Sequence, residues 1–113
     1  MRTAFRGFLA GWLILASIVT LAAERVWIDV RTPAEYAERH IDGEINIPHQ
    51  QITEQIAMHV ADKNTEIRLY CRSGNRAGKA KQALEAAGYT NVINAGSIDD
   101  VQPVRFDEAL CCR

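Results

Sequence analysis

The sequence predicts an α/β fold: one domain with a mainly parallel sheet flanked by helices. Short apolar runs rich in β-branched residues alternate along the chain with segments that carry helical periodicity and helix-capping signals. The chain has 113 residues, of which 48% are hydrophobic and 24% charged, as is typical of one small globular domain. Thirteen basic and fourteen acidic residues give a net charge of −1, without the basic excess that a nucleic-acid-binding surface needs.

Residues 1–23 differ from the rest of the chain and have the pattern of a secretory signal peptide. Arg2 and Arg6 form a basic start, the stretch Gly7–Ala23 carries no charge, and small residues close the segment. An uncleaved membrane anchor is the alternative, since about 17 apolar residues is the lower limit for spanning a bilayer. We expect cleavage, which makes residues 24–113 an exported, periplasmic domain with no stable membrane association.

The first strand is predicted over Val26–Val30, an apolar run with β-branched residues. Helix-start signals follow directly, because Thr32 can cap, a proline suits the first helical position, and Glu35 completes a capping box. This helix is expected to be short and to end near Gly43. A second strand is predicted over Glu44–Ile47, where polar and apolar residues alternate.

A second helix and a third strand are predicted in the middle of the chain. Ile52, Ile56 and Val60 recur every four residues and form the apolar stripe of a helix that ends near Val60. The third strand, Ile67–Tyr70, runs directly into Cys71.

A third helix follows a short polar loop, and its apolar face consists of Ala77, Ala80, Leu84 and Ala87. Gly88 is in the usual place for a left-handed residue that ends a helix. The fourth strand is predicted over Asn91–Asn94, and the remainder is expected to be a short turn or helix plus a tail. The folded domain is therefore predicted to span about residues 26–101.

Cys71 stands where a strand ends and a loop leads into a helix, which is where α/β active sites lie. Free backbone N–H groups and the helix dipole favour an anion there and lower the pKa of a thiol. Arg72 and Arg76 flank the thiol, and the helix carries no acid before Glu85, so the Cys71 thiolate or an anionic substrate would supply the missing negative charge. A buried structural cysteine is the alternative, but we expect a nucleophile.

The length of the loop from Cys71 to Arg76 distinguishes phosphate-ester cleavage from sulfur transfer, two chemistries that use a cysteine loop closed by arginine. Tyrosine-phosphatase loops place five residues between the cysteine and the arginine, whereas this chain places four and has Ala77 at the next position. The segment Cys71–Arg76 therefore resembles the six-residue active-site loop of the rhodanese family, the sulfurtransferases.

Three further segments are similar to rhodanese signatures: Asp29–Arg31, His40–Gly43 with Ile45–Pro48, and Gly88–Tyr89 with Val92 and Gly96. The chain departs from the family pattern at Glu44, where a small residue is usual, and at Ser97, which replaces a second glycine. Both departures lie outside the loop, so they concern local packing more than chemistry. The size of the chain, its predicted signal peptide and the turn Asn94-Ala95-Gly96 most resemble the exported single-domain members.

The resemblance implies a thiosulfate sulfurtransferase that needs no metal or organic cofactor. Its Cys71 thiolate takes the outer sulfur of thiosulfate, releases sulfite, and passes the sulfur from a persulfide to cyanide or a thiol. The resemblance implies that the rest of the loop binds substrate: Arg72, Ser73, Gly74, Asn75, Arg76 and Ala77. We expect a monomer. The alternative is a persulfide carrier or a rhodanese-like binding module that serves a partner protein, with little turnover of thiosulfate.

Other candidate residues are assigned structural roles. Asp29 and Arg31 are expected to form a buried or half-buried ion pair that braces the loop. His40 lies four residues after Tyr36 and is expected to pack on it rather than to relay protons.

Cys111 and Cys112 have no counterpart in the rhodanese pattern. They are either incidental tail residues or thiols that accept sulfur from Cys71 or form a reversible disulfide with it. The second hypothesis requires the tail to fold back over the loop.

Overall fold

The computed structural model describes residues 25–111 and contains four strands and four α-helices. Their bounds are β1 Arg25–Asp29, α1 Pro33–Glu38, β2 Ile45–Asn46, α2 Ile52–His59, β3 Glu66–Cys71, α3 Asn75–Ala86, β4 Val92–Ser97 and α4 Ile98–Cys111. A 3₁₀ turn over His49–Gln51 leads into α2. The predicted signal segment, residues 1–23, lies outside the described residues. Within residues 25–111, no helix is long and apolar enough to cross a membrane.

All four strands run parallel, in the order β2-β1-β3-β4, which confirms the predicted α/β class. The two inner strands, β1 and β3, pair over five residues from Arg25–Glu66 to Asp29–Tyr70. Because the strands are parallel, their carboxyl ends meet at one edge of the sheet. That edge carries the end of β3, and therefore Cys71.

The two faces of the sheet are covered by different helices, and each face has its own hydrophobic cluster. The larger cluster lies between the sheet and helices α2 and α3, and includes Ile28, Leu69 and Leu84, all fully buried. The smaller cluster lies under α4 and includes Trp27 and Tyr70. A fully buried aliphatic side chain contributes about 1.5–3 kcal/mol, so the larger cluster supplies most of the stability on which the loop rests.

The predicted ion pair between Asp29 and Arg31 is buried, and it fixes helix α1. The Arg31 Nη2 atom lies 2.7 Å from an Asp29 carboxylate oxygen and 2.6 Å from the carbonyl oxygen of Arg39. That carbonyl follows directly after α1, which ends at Glu38 and not near Gly43 as expected. The pair therefore stabilises the end of α1, whereas it was predicted to brace the loop.

The C-terminal part of the chain differs from the expected short tail, because Ile98–Cys111 is one helix of 14 residues. Ser97 starts it: its Oγ accepts a hydrogen bond from the backbone N–H of Asp100 at 3.1 Å. Two acidic residues in the first turn also suit a helix start. Two ion pairs then tie the helix to the sheet: Arg105 with Glu44 at 2.6 Å and Glu108 with Arg25 at 2.8 Å.

The course of α4 contradicts the hypothesis that Cys111 folds back over the loop. The helix begins beside Cys71, since its preceding residue Ser97 pairs with Cys71 in the sheet. It ends near the amino end of β1, where Glu108 meets Arg25. Fourteen helical residues span about 20 Å, so the backbone of Cys111 lies at the sheet edge opposite Cys71. Cys112 lies outside the described residues.

Candidate active site

Cys71 is the last residue of β3 and lies between the ends of β1 and β4. Its side chain is fully buried, and the backbone N–H of Gly74 donates to its Sγ atom at 2.9 Å. The chain turns sharply after Cys71, so that the backbone of the loop wraps the sulfur. Gly74 makes this turn possible because its φ is +92°, in the left-handed region that favours glycine.

Helix α3 starts immediately after this turn and directs its free N–H groups at the sulfur. Gly74 is the N-cap residue and contributes no side-chain cap. Burial raises the pKa of the Cys71 thiol, but the backbone N–H groups of Ala77, Ser73, Gly74 and Arg76 lower it by more. The net pKa lies below the ordinary value for cysteine, so the loop stabilises a thiolate without a side-chain base.

The residues predicted to form the site all lie on this loop or on the first turn of α3, but they differ in exposure. Arg72, Ser73 and Asn75 are exposed, and Ala77 is fully buried against the sheet. Within residues 25–111, the Arg72 guanidinium makes no hydrogen bond or ion pair, so its charge faces solvent at the start of the loop.

Arg76 is held by a partner that the sequence analysis did not identify. Its guanidinium forms a two-bond ion pair with Glu35, with Nη1–Oε1 at 2.6 Å and Nη2–Oε2 at 3.0 Å. The same carboxylate completes the predicted capping box with Thr32, so one side chain serves both contacts. The hydrogen bonds from Arg76, together with those from Thr32, lower the pKa of Glu35 to about 2.

This ion pair changes how the positive charge at the start of α3 is balanced, compared with what the sequence predicts. The basic start of α3 was expected to be balanced by the Cys71 thiolate or by a bound anion alone. Glu35 reaches across from α1 and neutralises part of that charge. The signal for this pairing was weak, because Glu35 and Arg76 are 41 positions apart and the capping box already accounts for Glu35.

Asn94 is a second residue that the sequence analysis did not single out as part of the site. Its side-chain amide donates to the carbonyl oxygen of Gly74 at 2.9 Å, which connects β4 to the loop. The order Asn94-Ala95-Gly96 is typical of a turn in which an asparagine side chain bonds to the backbone two residues later. That pattern predicts the local bond from Gly96 to the Asn94 side chain, which is present at 3.0 Å, but not the contact with Gly74.

His40 packs on Tyr36 as predicted. The two rings are stacked, with centroids 4.2 Å apart, and the His40 Nδ1 atom lies 2.7 Å from the Tyr36 carbonyl oxygen. Among residues 25–111, no group of three or more His, Cys, Asp or Glu side chains is arranged to hold a metal ion. The described site offers one cysteine thiolate in a cradle of backbone N–H groups.

Comparison with known proteins agrees with this geometry. Residues 18–102 match the sequence profile of the family described as Rhodanese-like domain. Thiosulfate sulfurtransferase PspE of Escherichia coli is 45% identical over 97 residues, an alignment that covers 83% of this chain and 92% of the relative. Thiosulfate:glutathione sulfurtransferase of Saccharomyces cerevisiae is 33% identical over 87 residues, which covers 66% of this chain and 63% of that protein.

A solved structure has the same fold. The structure titled "rhodanese with anions from E. coli" superimposes with a TM-score of 0.65 at 45% sequence identity, over 68% of this chain and 91% of that one. Profile, relatives and fold agree with the loop motif and with the parallel sheet that presents Cys71. This chain belongs to the rhodanese family.

Proposed function

We propose that this protein is a thiosulfate sulfurtransferase that moves sulfur through a persulfide on Cys71. The observation that carries the proposal is the cradle of backbone N–H groups around the Cys71 sulfur, which lowers the pKa of the thiol despite its burial. A thiolate is the nucleophile that attack on sulfur requires. The relative that is 45% identical is named thiosulfate sulfurtransferase, which agrees with this chemistry.

In the first step, the Cys71 thiolate attacks the outer sulfur of thiosulfate. A sulfur–sulfur bond forms at Cys71 while the sulfur–sulfur bond of thiosulfate breaks, and sulfite leaves as a dianion with the bonding electron pair. Cys71 then carries a persulfide anion. The N–H groups that stabilise the thiolate also stabilise this anion, because the negative charge stays inside the same cradle.

In the second step, a thiophilic acceptor attacks the outer sulfur of the persulfide. Cyanide gives thiocyanate, and a thiolate gives a new persulfide on the acceptor. In both cases the electron pair of the broken bond returns to Cys71 as a thiolate, so the enzyme is regenerated without an external oxidant or reductant. This order of events predicts ping-pong kinetics.

The two arginines of the loop have different roles in this proposal. Arg72 is exposed and offers its positive charge to the incoming dianion. The positive charge of Arg76 is partly neutralised by Glu35, and this ion pair serves mainly to hold α3 against α1. Backbone N–H groups are supplied by Ser73, Gly74 and the residues that follow. They bind a small anion, and no side-chain acid or base is needed.

We also propose that residues 1–23 are a cleaved signal peptide and that residues 24–113 act in the periplasm as a monomer. The basic start and uncharged apolar stretch of residues 1–23 support export. The cradle around Cys71 is built by one chain, which supports a monomer as the working unit.

The proposed function is tested with purified protein, thiosulfate and cyanide. The peptide that contains Cys71 is expected to gain the mass of one sulfur atom after incubation with thiosulfate, and thiocyanate is expected to form on addition of cyanide. Cys71→Ser is expected to abolish both results. Sulfur transfer that persists in Cys71→Ser would refute the assignment.

A further inference from the structure

Asn94 lies beside the active-site loop and uses both ends of its side-chain amide. The Nδ2 atom donates to the carbonyl oxygen of Gly74 at 2.9 Å, and the Oδ1 atom accepts from the N–H of Gly96 at 3.0 Å. One partner is a carbonyl and the other is an N–H, so only one orientation of the amide satisfies both. The side chain is therefore fixed in direction even though Asn94 is exposed.

A β-bulge in β4 produces this arrangement. The residues of β3 that pair with Asn94 and Gly96 are adjacent in sequence, so Ala95 is an extra residue in β4. Gly96 has a φ of +92°. A Cβ atom placed on Gly74 would lie 3.4 Å from the Cα of Gly96, so the loop packs directly on the backbone of the bulge.

Gly74 connects Asn94 to the thiol. Its N–H donates to the Sγ of Cys71 at 2.9 Å, while its carbonyl oxygen accepts from Asn94 and from the N–H of Gly78. Glycine has more backbone freedom than any other residue, and Gly74 has no side chain with which to cap the helix. The N–H and the carbonyl of Gly74 belong to neighbouring peptide units that are joined at its Cα atom. Because Gly74 packs on the backbone of Gly96 with a φ of +92°, a contact that holds its carbonyl also restricts the direction in which its N–H points.

We propose that Asn94 is a positioning residue for sulfur transfer: by holding the Gly74 carbonyl, it keeps the Gly74 N–H directed at the sulfur of Cys71. The inference rests on the proposed function, in which that N–H stabilises both the thiolate and the persulfide. Asn94 acts through Gly74, because its two side-chain hydrogen bonds go to Gly74 and Gly96 and not to the sulfur.

The test compares Asn94→Ala and Asn94→Asp with the control Asn91→Ala, which removes another exposed asparagine near the opposite end of β4. Two quantities are measured: the pH profile of Cys71 alkylation by iodoacetamide, and kcat/KM for thiosulfate. Asn94→Ala is expected to raise the pKa of the thiol and to lower kcat/KM about fivefold to tenfold, as for a misdirected hydrogen bond to a charged group. Asn91→Ala is expected to match the wild type.

Asn94→Asp keeps the acceptor for Gly96 and replaces the donor to Gly74 with a carboxylate oxygen, so it removes the same contact if the alanine variant does not fold. It also adds a negative charge, so its effect on the thiol pKa is expected to exceed that of alanine. A folded Asn94→Ala with the wild-type alkylation profile and kcat/KM would overturn the proposal, because a structural hydrogen bond alone moves neither. If the wild type transfers no sulfur from thiosulfate, the proposed function fails, while the alkylation profile still decides the role of Asn94.

Discussion

The ion pair between Glu35 and Arg76 gives the sharpest test of how the loop is held, through the substitution Glu35→Gln. Glutamine keeps the size of the side chain and an oxygen that can accept from Thr32. It removes the negative charge that faces the guanidinium at 2.6 and 3.0 Å. The variant therefore isolates the charge of the ion pair from the capping of α1.

An upper bound on the effect follows from the pKa of Glu35, which is lowered from 4.5 to about 2, first by the hydrogen bonds from Arg76 and then by those from Thr32. If all of that difference acted on folding, it would correspond to about 3 kcal/mol. Both side chains are about one quarter exposed, and solvent screens the pair, so we expect about 1 kcal/mol. Because the folded pKa is depressed, this stabilisation is complete above about pH 4.5 and is lost as the pH falls toward 2.

Urea unfolding of wild type and Glu35→Gln at several pH values measures this directly. The free energy of unfolding is expected to be about 1 kcal/mol lower in the variant at pH 7, and the two proteins are expected to converge as the pH approaches 2. Glu38→Gln is the matched control, because Glu38 is an exposed acid of the same helix. A difference between wild type and Glu35→Gln that stays constant from pH 7 to pH 2.5 would refute the reasoning, since an uncharged contact has no such pH dependence.

Three further outcomes are expected. Arg72→Ala should raise KM for thiosulfate several-fold more than it raises KM for an uncharged sulfur donor, as steady-state kinetics would show; equal changes would remove the anion-binding role. Burial raises the pKa of Glu44 by more than its ion pair with Arg105 lowers it, so wild-type stability falls as the pH rises from 4.5 through the raised pKa. Glu44→Gln should flatten this fall in thermal melts recorded from pH 4.5 upward, and an unchanged slope would contradict it. Ser97→Ala should cost about 1 kcal/mol in urea unfolding through loss of the α4 cap, whereas Ser97→Thr should cost less; equal losses would argue against capping.

Local patterns were sufficient to predict the parts of the fold that place the nucleophile. An apolar run that ends in Cys71, a glycine that permits a tight turn, and an apolar stripe on the next helix are all readable within about twenty residues. The structure has β3, the loop and α3 in that order. These elements were predictable because the spacing of the apolar residues within each element determines which of its faces is buried.

The sequence allowed a short turn or helix after β4, and the full length of helix α4 was not predicted, for a physical reason. Its apolar residues do not form one continuous stripe: Ile98 and Val101 are buried, whereas Phe106 and Leu110 are exposed. Pro103 also lies inside it, and a proline within a helical segment argues against a helix. Ion pairs with distant residues hold the second half of this helix, and such contacts leave no periodic signal in the sequence.

The contacts of the site that escaped prediction are of the same kind. Glu35 and Asn94 reach the loop from elements that precede and follow it, 41 and 20 positions away from their partners. Each also makes a short-range contact, a capping box for Glu35 and a bond to Gly96 for Asn94. A residue whose local role already explains its identity gives no indication of a second, tertiary role.

The course of α4 also determines which side of the molecule is available for attachment. Arg25, at the start of β1, bonds to Glu108 near the end of α4, so both ends of the described fold lie at the edge of the sheet opposite Cys71. A linker, a fusion partner or a solid support joined at either end would therefore leave the face that bears the loop unobstructed. The domain can be tethered without covering its active-site loop, and an acceptor as large as another protein can still approach that loop.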